Sequence, residues 1–219
     1  MDAPPDPNDR HRVRRRPERA SYDRETLHAV LDAAFLAHVG FAPDGQPFVI
    51  PMLYARDGDR ILLHGSVSSR LIGVLADGVP CSIAVTVLDA LVLARSQFSH
   101  SVNYRSAVVF GRAFEITDVA EKARCMHRVT DAIVPGRAAD ARPPDAGELA
   151  ATRVLWVDIE QASVKQRTGG ASDHPADLEL PHWAGVVPLA LVRGAPQPAP
   201  GAEHLPLPPY LHGLAGDDA

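Results

Sequence analysis

Between His64 and Leu71 the chain reads HGSVSSRL, which sets three hydroxyls (Ser66, Ser68 and Ser69) directly before the guanidinium of Arg70. Hydroxyls and backbone amides give direction to the oxygens of an anion, and a planar cation with several donors supplies charge, so the set suits a phosphate. The first turn of a following helix would add unpaired N–H groups. Serine-rich helix starts also occur simply as caps, and the residue types alone leave both readings open. Other side chains with chemical potential are thinly spread. His64 precedes the serines and is placed for proton transfer or for lining a ligand. His100 sits in the loop FSHSVNYRS, followed by Tyr104 and Arg105, a pair suited to an anionic or aromatic substrate or merely to strand contacts. Cys125 and His127 are two apart on a helical pattern and cannot share a face, which argues against a metal pair. No H-E-x-x-H, Walker or G-x-G-x-x-G pattern occurs, and no metal site is expected.

The elements that must position these groups are marked by turns and caps. Asp23 is placed to cap a helix whose apolar stripe is Leu27, Val30, Leu31, Ala34 and Phe35. Asp44-Gly45 and Asp57-Gly58 then separate three apolar runs, the strongest short signal for two successive hairpins. SVSSRLIGVLADG switches to helical spacing, with Ser66 as the natural N-cap, Val67, Leu71, Val74 and Leu75 on one face, and Gly78 beyond the end. VPCSIAVTVL alternates as a strand, DALVLARS reads as its returning partner, and YRSAVVFGRAFEI is a long strand with Gly111 as a bulge or close approach. Asp118 with Glu121, and Asp145 with Glu148, have capping-box spacing. The first of these opens a helix with Val119, Ala123, Met126 and Val129 inward, and Pro135-Gly136 stops it. RVLWVDIEQASVKQ gives one more strand or a bent pair. Six or seven strands with hairpin-like connections imply a mainly β fold with peripheral helices, an antiparallel barrel.

Length and composition frame this as one domain: 219 residues, 46% hydrophobic and 22% charged, with a net charge of −5. Residues 1–20 form a basic, flexible tail with six arginines from Arg10 to Arg19, residues 21–193 the folded domain, and residues 194–219 a proline-rich tail. The overall charge and the lack of an aromatic or Gly-rich motif beside those arginines argue against a nucleic-acid partner. No apolar leader or spanning segment is evident, so the expectation is a cytoplasmic protein without membrane contact, its two cysteines, Cys81 and Cys125, reduced and packed.

The order DGQPFVIPMLYARDGDRILLHGSVSSRL, an alternating strand and then NYRSAVVFGRA resembles the FMN-binding split-barrel family related to pyridoxamine 5′-phosphate oxidase, in its flavin-nucleotide-binding and nitroimidazole-reductase-like branch. The resemblance covers roughly residues 15–190, including LPHWAGVVPL. It implies a split β-barrel of the FMN-binding type and a homodimer with FMN at the interface. Val49, Ile50, Pro51 and Met52 match the strand beside the flavin ring. His64, Gly65 and Ser66 match the strand end beside the ribityl chain and phosphate, and Ser69 and Arg70 the phosphate-binding pair. Ser106 falls where a polar residue faces the flavin from the partner, and Trp183 in a segment packed near the pocket. Leu71 stands where the oxidase pattern has a lysine, so one phosphate cation is missing. The implied activity is electron transfer from a reduced nicotinamide, NAD(P)H, to a small organic acceptor. His64 is the candidate catalytic residue, and His100, Tyr104, Arg105 and Trp183 are candidates for substrate or interface. The alternatives are a flavin-binding protein without turnover, or a split barrel holding haem through His64 or His100, or a deazaflavin coenzyme.

Overall fold

The computed structural model describes residues 9–212. Its strands are β1 (Ala20–Ser21), β2 (Leu36–Phe41), β3 (Phe48–Leu53), β4 (Ala55–Asp57), β5 (Arg60–Ser66), β6 (Pro80–Leu93), β7 (Ser101–Glu115), β8 (Thr152–Asp158), β9 (Gln161–Arg167) and β10 (Gly185–Pro188). The helices are α1 (Arg24–Asp32), α2 (Arg70–Ala76), α3 (Val119–Ile133), α4 (Ala146–Ala151) and α5 (Pro209–His212). All strand pairings are antiparallel, in the order β3-β2-β6-β7-β8-β5-β4, with β9 also on β7, β1 on β9 and β10 on β6. The class is the split barrel read from the sequence, with more strands than the six or seven expected.

Both hairpin signals fold as hairpins, β2–β3 around Asp44-Gly45 and β4–β5 around Asp57-Gly58. The middle run changes sheets between β3 and β4 at Tyr54, whose buried hydroxyl donates to Leu31 O at 2.5 Å. β7 does the same by length: residues 104–110 pair with β9, and residues 113–115 with β8. At the bend, a Cβ on Gly111 would stand 2.5 Å from Asp158 O, so only glycine lets the strands approach there. Ala37, Val39, Ile61, Leu63, Ile83, Val85, Ala107, Val109 and Leu155 fill the barrel, and α2 plugs it with Leu71, Ile72 and Leu75. The opposite face of β5 and β8 carries Leu62 and Val154, which pack with Cys125 and Val129 of α3. Both cysteines are free and buried, and burial pushes the Cys81 thiol up to about 11.

Three local expectations need correction. The segment DALVLARS does not return: β6 continues through it to Leu93, and the register shifts between Leu88 and Ala90. Without a glycine to turn on, the extra residue is absorbed as a bulge, and Asp89 is held by Arg105 on β7 at 2.7 Å. α3 turns Cys125 and Val129 inward and leaves Val119, at its first position, 64% exposed. Its cap is one-sided, since Asp118 accepts from Glu121 N–H while the Glu121 carboxylate is taken by Arg124; the full capping box forms only at Asp145–Glu148. Within the expected 1–20 tail, Arg10 lies over Phe110 at 5.0 Å and donates to Gln161 at 2.9 Å; residues 1–8 and 213–219 of the two tails lie outside the described residues. No helix of the described residues is long and apolar enough to cross a membrane.

Candidate functional site

β5 stays paired with β8 up to Ser66, opposite Thr152. The chain then turns tightly. Val67 N–H donates to Ala151 O at 3.0 Å, Ser69 N–H to Ser66 O at 2.9 Å, and Ser68 N–H to Ser66 Oγ at 3.2 Å, with the Ser66 and Ser68 hydroxyls 2.8 Å apart. Ser69 caps α2 in place of the expected Ser66: its Oγ accepts from Ile72 N–H at 3.5 Å. The reason is the ladder, which holds Ser66 in extended geometry, so the helix starts only once the backbone clears β8. A Cβ on Gly65 would meet Ile72 Cγ1 at 2.8 Å, so α2 packs directly on the strand end.

α2 is seven residues long, and its dipole is correspondingly small. The capacity to hold an anion therefore rests on side chains. Ser66 and Ser68 are exposed, as is Arg70, whose guanidinium stacks 4.3 Å over the ring of Phe48, the first residue of β3. No carboxylate of the described residues pairs with Arg70. Leu71 is buried in the barrel, so the position where the resemblance implies lysine offers no second cation.

That stacking joins the turn to β3, the last strand in its order, with its outer edge unpaired. Ile50 and Met52 lean on the core, while Val49, 68% exposed, and Pro51 face outward. Proline is tolerated because an edge strand has an N–H to spare. On the same outer surface Leu36, Leu53 and Leu88 are also exposed, an open apolar sheet face.

His64 is opposite Val154 and shares its face with Leu62, toward α3. Its Nδ1 is buried without a hydrogen-bond partner, and burial lowers its pKa, so the ring is neutral near pH 7 and has a lone pair to offer. The fold thus sets Gly65, Ser66, Ser69 and Arg70 at one turn, joins that turn to β3 through Phe48, and points His64 away from it toward α3.

The remaining candidates lie elsewhere. Ser106 is three strands from β3, roughly 14 Å at the usual strand spacing, and its hydroxyl donates to Lys165 O at 3.1 Å. Arg105 is clamped by Asp89, His100 Nδ1 is 2.9 Å from Ser96 O within its own turn, and Tyr104 pairs with Leu88 and Arg167 on neighbouring strands. Trp183 is 67% exposed, its ring laid over Gly185.

A second concavity has no counterpart among the sequence candidates. Met126, His127 and Thr130 of α3 face the 138–144 segment across a cleft of about 1010 Å³, which Thr152 of β8, Arg142 and Glu148 also line. The available signal was PGRAADARPPD, a connection too long for a tight turn between two capped helices.

Comparison with known proteins adds the family. The model described as pyridoxamine 5′-phosphate oxidase matches residues 23–166. The chain is 40% identical to the FAD and haem binding protein from Mycobacterium smegmatis, covering 90% of this chain and 98% of that one at a TM-score of 0.86. It is also 40% identical to the flavocytochrome Anf3 from Azotobacter vinelandii, covering 96% and 99% at a TM-score of 0.87. A candidate 5-nitroimidazole antibiotic resistance protein from Bacteroides thetaiotaomicron, 20% identical with 67% and 85% covered at a TM-score of 0.57, shares the fold. Among curated protein sequences none matches. With the barrel, the turn after β5 and the family match in agreement, the chain belongs to the pyridoxamine 5′-phosphate oxidase family.

Proposed function

We propose that this chain is a flavin-binding redox protein that also takes haem and works as a homodimer. The observation that carries the flavin reading is the unpaired Arg70 guanidinium beside the Ser66 and Ser68 hydroxyls, joined through Phe48 to an edge strand with an open outer face. Those three side chains would hold the phosphate by charge and direction. Val49 and Pro51 offer the flat apolar surface a ring system needs. A bound flavin supplies one- and two-electron transfer, and the chain supplies position and electrostatics.

Two relatives at 40% identity across nearly their whole lengths are named for FAD with haem and as a flavocytochrome, which favours FAD over the FMN implied by the sequence pattern and adds haem. A second copy on the open face of β2, β3 and β6 would cover Leu36, Val49 and Leu53 and bring its own Ser106 toward the flavin. The electron donor on this reading is NAD(P)H and the acceptor a small organic molecule.

The test is a visible spectrum of the purified protein with mass analysis of what acid releases. A flavin spectrum with an FAD mass supports the reading, an FMN mass restores the simpler expectation, and a protein that binds neither, even in excess, overturns it. NAD(P)H oxidation with nitroaromatic, quinone and oxygen acceptors separates an oxidoreductase from a carrier. Light scattering in solution reports the dimer.

A further inference from the structure

Resting on the flavin half of that reading, we infer that His38, and not His64, is the imidazole that meets the flavin ring. β2 lies between β3 and β6, with Ala37, Val39 and Phe41 buried in the barrel and Leu36 and His38 exposed on the outer face. His38 is paired with Pro51 of β3 on one side and with Ala84 of β6 on the other. Directly opposed residues of antiparallel strands stand with Cβ atoms about 4.5–5.5 Å apart, so the imidazole rises beside the Val49 and Pro51 surface offered to the ring.

The surroundings leave it prominent. Next along the face Gly40 has no side chain, and a Cβ there would stand 2.8 Å from Ser82 Oγ, so that hydroxyl lies over the glycine. With Pro51 and Ala84 this makes a low shelf from which His38 projects. The shelf also lies within reach of the anion corner. Arg70 stacks on Phe48, and Pro51 is three residues further along β3, about 10 Å at the usual rise, a gap that a ribityl linker and its phosphate ester bridge.

The chemistry is complementary. A flavin ring carries nitrogens and carbonyls along one edge, and an apolar shelf satisfies none of them. β3 brings Val49, Pro51 and Leu53 to this face and β6 brings Ser82, Ala84, Thr86 and Leu88, while Asp89 at the β6 bulge is held by Arg105. His38 is therefore the uncommitted ionisable side chain of these three strands. Among the described residues no hydrogen bond, ion pair or ring contact engages its imidazole, whereas His28 is taken by Asp59, His100 by Ser96 O and His127 by Asp131. His64 is unsuited, because it faces α3. A ring N–H of His38 can donate to the polar edge of the flavin, and a donor there stabilises the electron-rich reduced ring.

The test titrates riboflavin, which has the ring without the phosphate, and FAD into the full-length protein freed of cofactor, and follows the visible band and the reduction potential of the bound flavin. His38→Leu should weaken riboflavin binding roughly three- to tenfold, the worth of one hydrogen bond, displace the visible band and lower the potential. His38→Gln, similar in size and able to donate, should keep all three close to the parent. His38→Ala repeats the comparison if the leucine variant self-associates. Parent-like binding, band and potential in His38→Leu, or equal losses in the glutamine and leucine variants, overturns the assignment of His38 and leaves the flavin reading standing. A parent protein that takes up no flavin overturns that reading, and this assignment with it.

Discussion

The corner after β5 and the cleft beside α3 lie on the same strand pair yet are built in opposite ways. The corner is a short run of consecutive residues in which the exposed hydroxyls of Ser66 and Ser68 and the guanidinium of Arg70 are presented by a single turn, while the Ser69 hydroxyl caps α2. The cleft is assembled from α3, the 138–144 segment, Glu148 of α4 and the start of β8, and its lining mixes Met126, Ala139 and Pro143 with Arg124, His127, Arg142 and Glu148. A site made by one turn needs only that turn to form. A site made by three distant segments needs the whole outer layer in place, so its energetics follow those of the barrel.

That contrast can be broken in graded steps. Gly111→Val forces a side chain into Asp158 O and should cost about 3 kcal/mol of folding stability, at the upper end for overpacking, with both sites lost together in thermal melts. Arg70→Ala should weaken flavin binding by about 1.5–3 kcal/mol, the usual worth of a charge-assisted contact, with the melting temperature of the ligand-free protein unchanged; parent-like flavin affinity would take the phosphate away from the corner. Asp145→Ala removes the α4 capping box and should cost about 1 kcal/mol of stability in thermal melts, with flavin content unchanged.

The smallest effect is on acid stability. The folded-state pKa of His64 is lowered by burial, so the unfolded chain binds the proton more readily than the native one. The contribution of His64 to stability is therefore full above its unfolded value near 6.5 and is lost as pH falls through that value toward the lowered one. His64→Leu should flatten that limb of the ligand-free melting curve. An unchanged limb would assign the titration elsewhere.

The same contrast governs what the sequence made legible. The corner could be read because its chemistry is local: Ser66, Ser69 and Arg70 are adjacent, and the paired Asp-Gly turns announce the hairpins that deliver them. Even there the cap was misplaced by three residues, since nothing local reveals that β8 holds Ser66 in the ladder. The strand pairing at Asp89 was misread for a related reason. An acidic residue breaking an apolar alternation looks like a turn, and only Arg105 on the neighbouring strand makes a bulge the better solution. The cleft was invisible because Met126 and Ala139 acquire meaning only when the 138–144 segment folds back on α3, a long-range event with no periodic signature. His64 belonged to both worlds: the motif located it, but its orphaned Nδ1 belongs to the packing under α3.

The C-terminal segment crosses the molecule between two anchors, β10 on β6 at one end and Tyr210 at the other, where its ring covers Gly136 and its hydroxyl meets Arg137 and Asp140. The polypeptide thus leaves the described fold against the outer wall of the cleft, whereas Arg10 leads in beside β7 and β9. A fluorescent label carried on α5 beside Tyr210 would crowd that wall, whereas one carried next to Arg10 would lie against β7 and β9; reagents meant to report on the cleft without filling it belong at the second place.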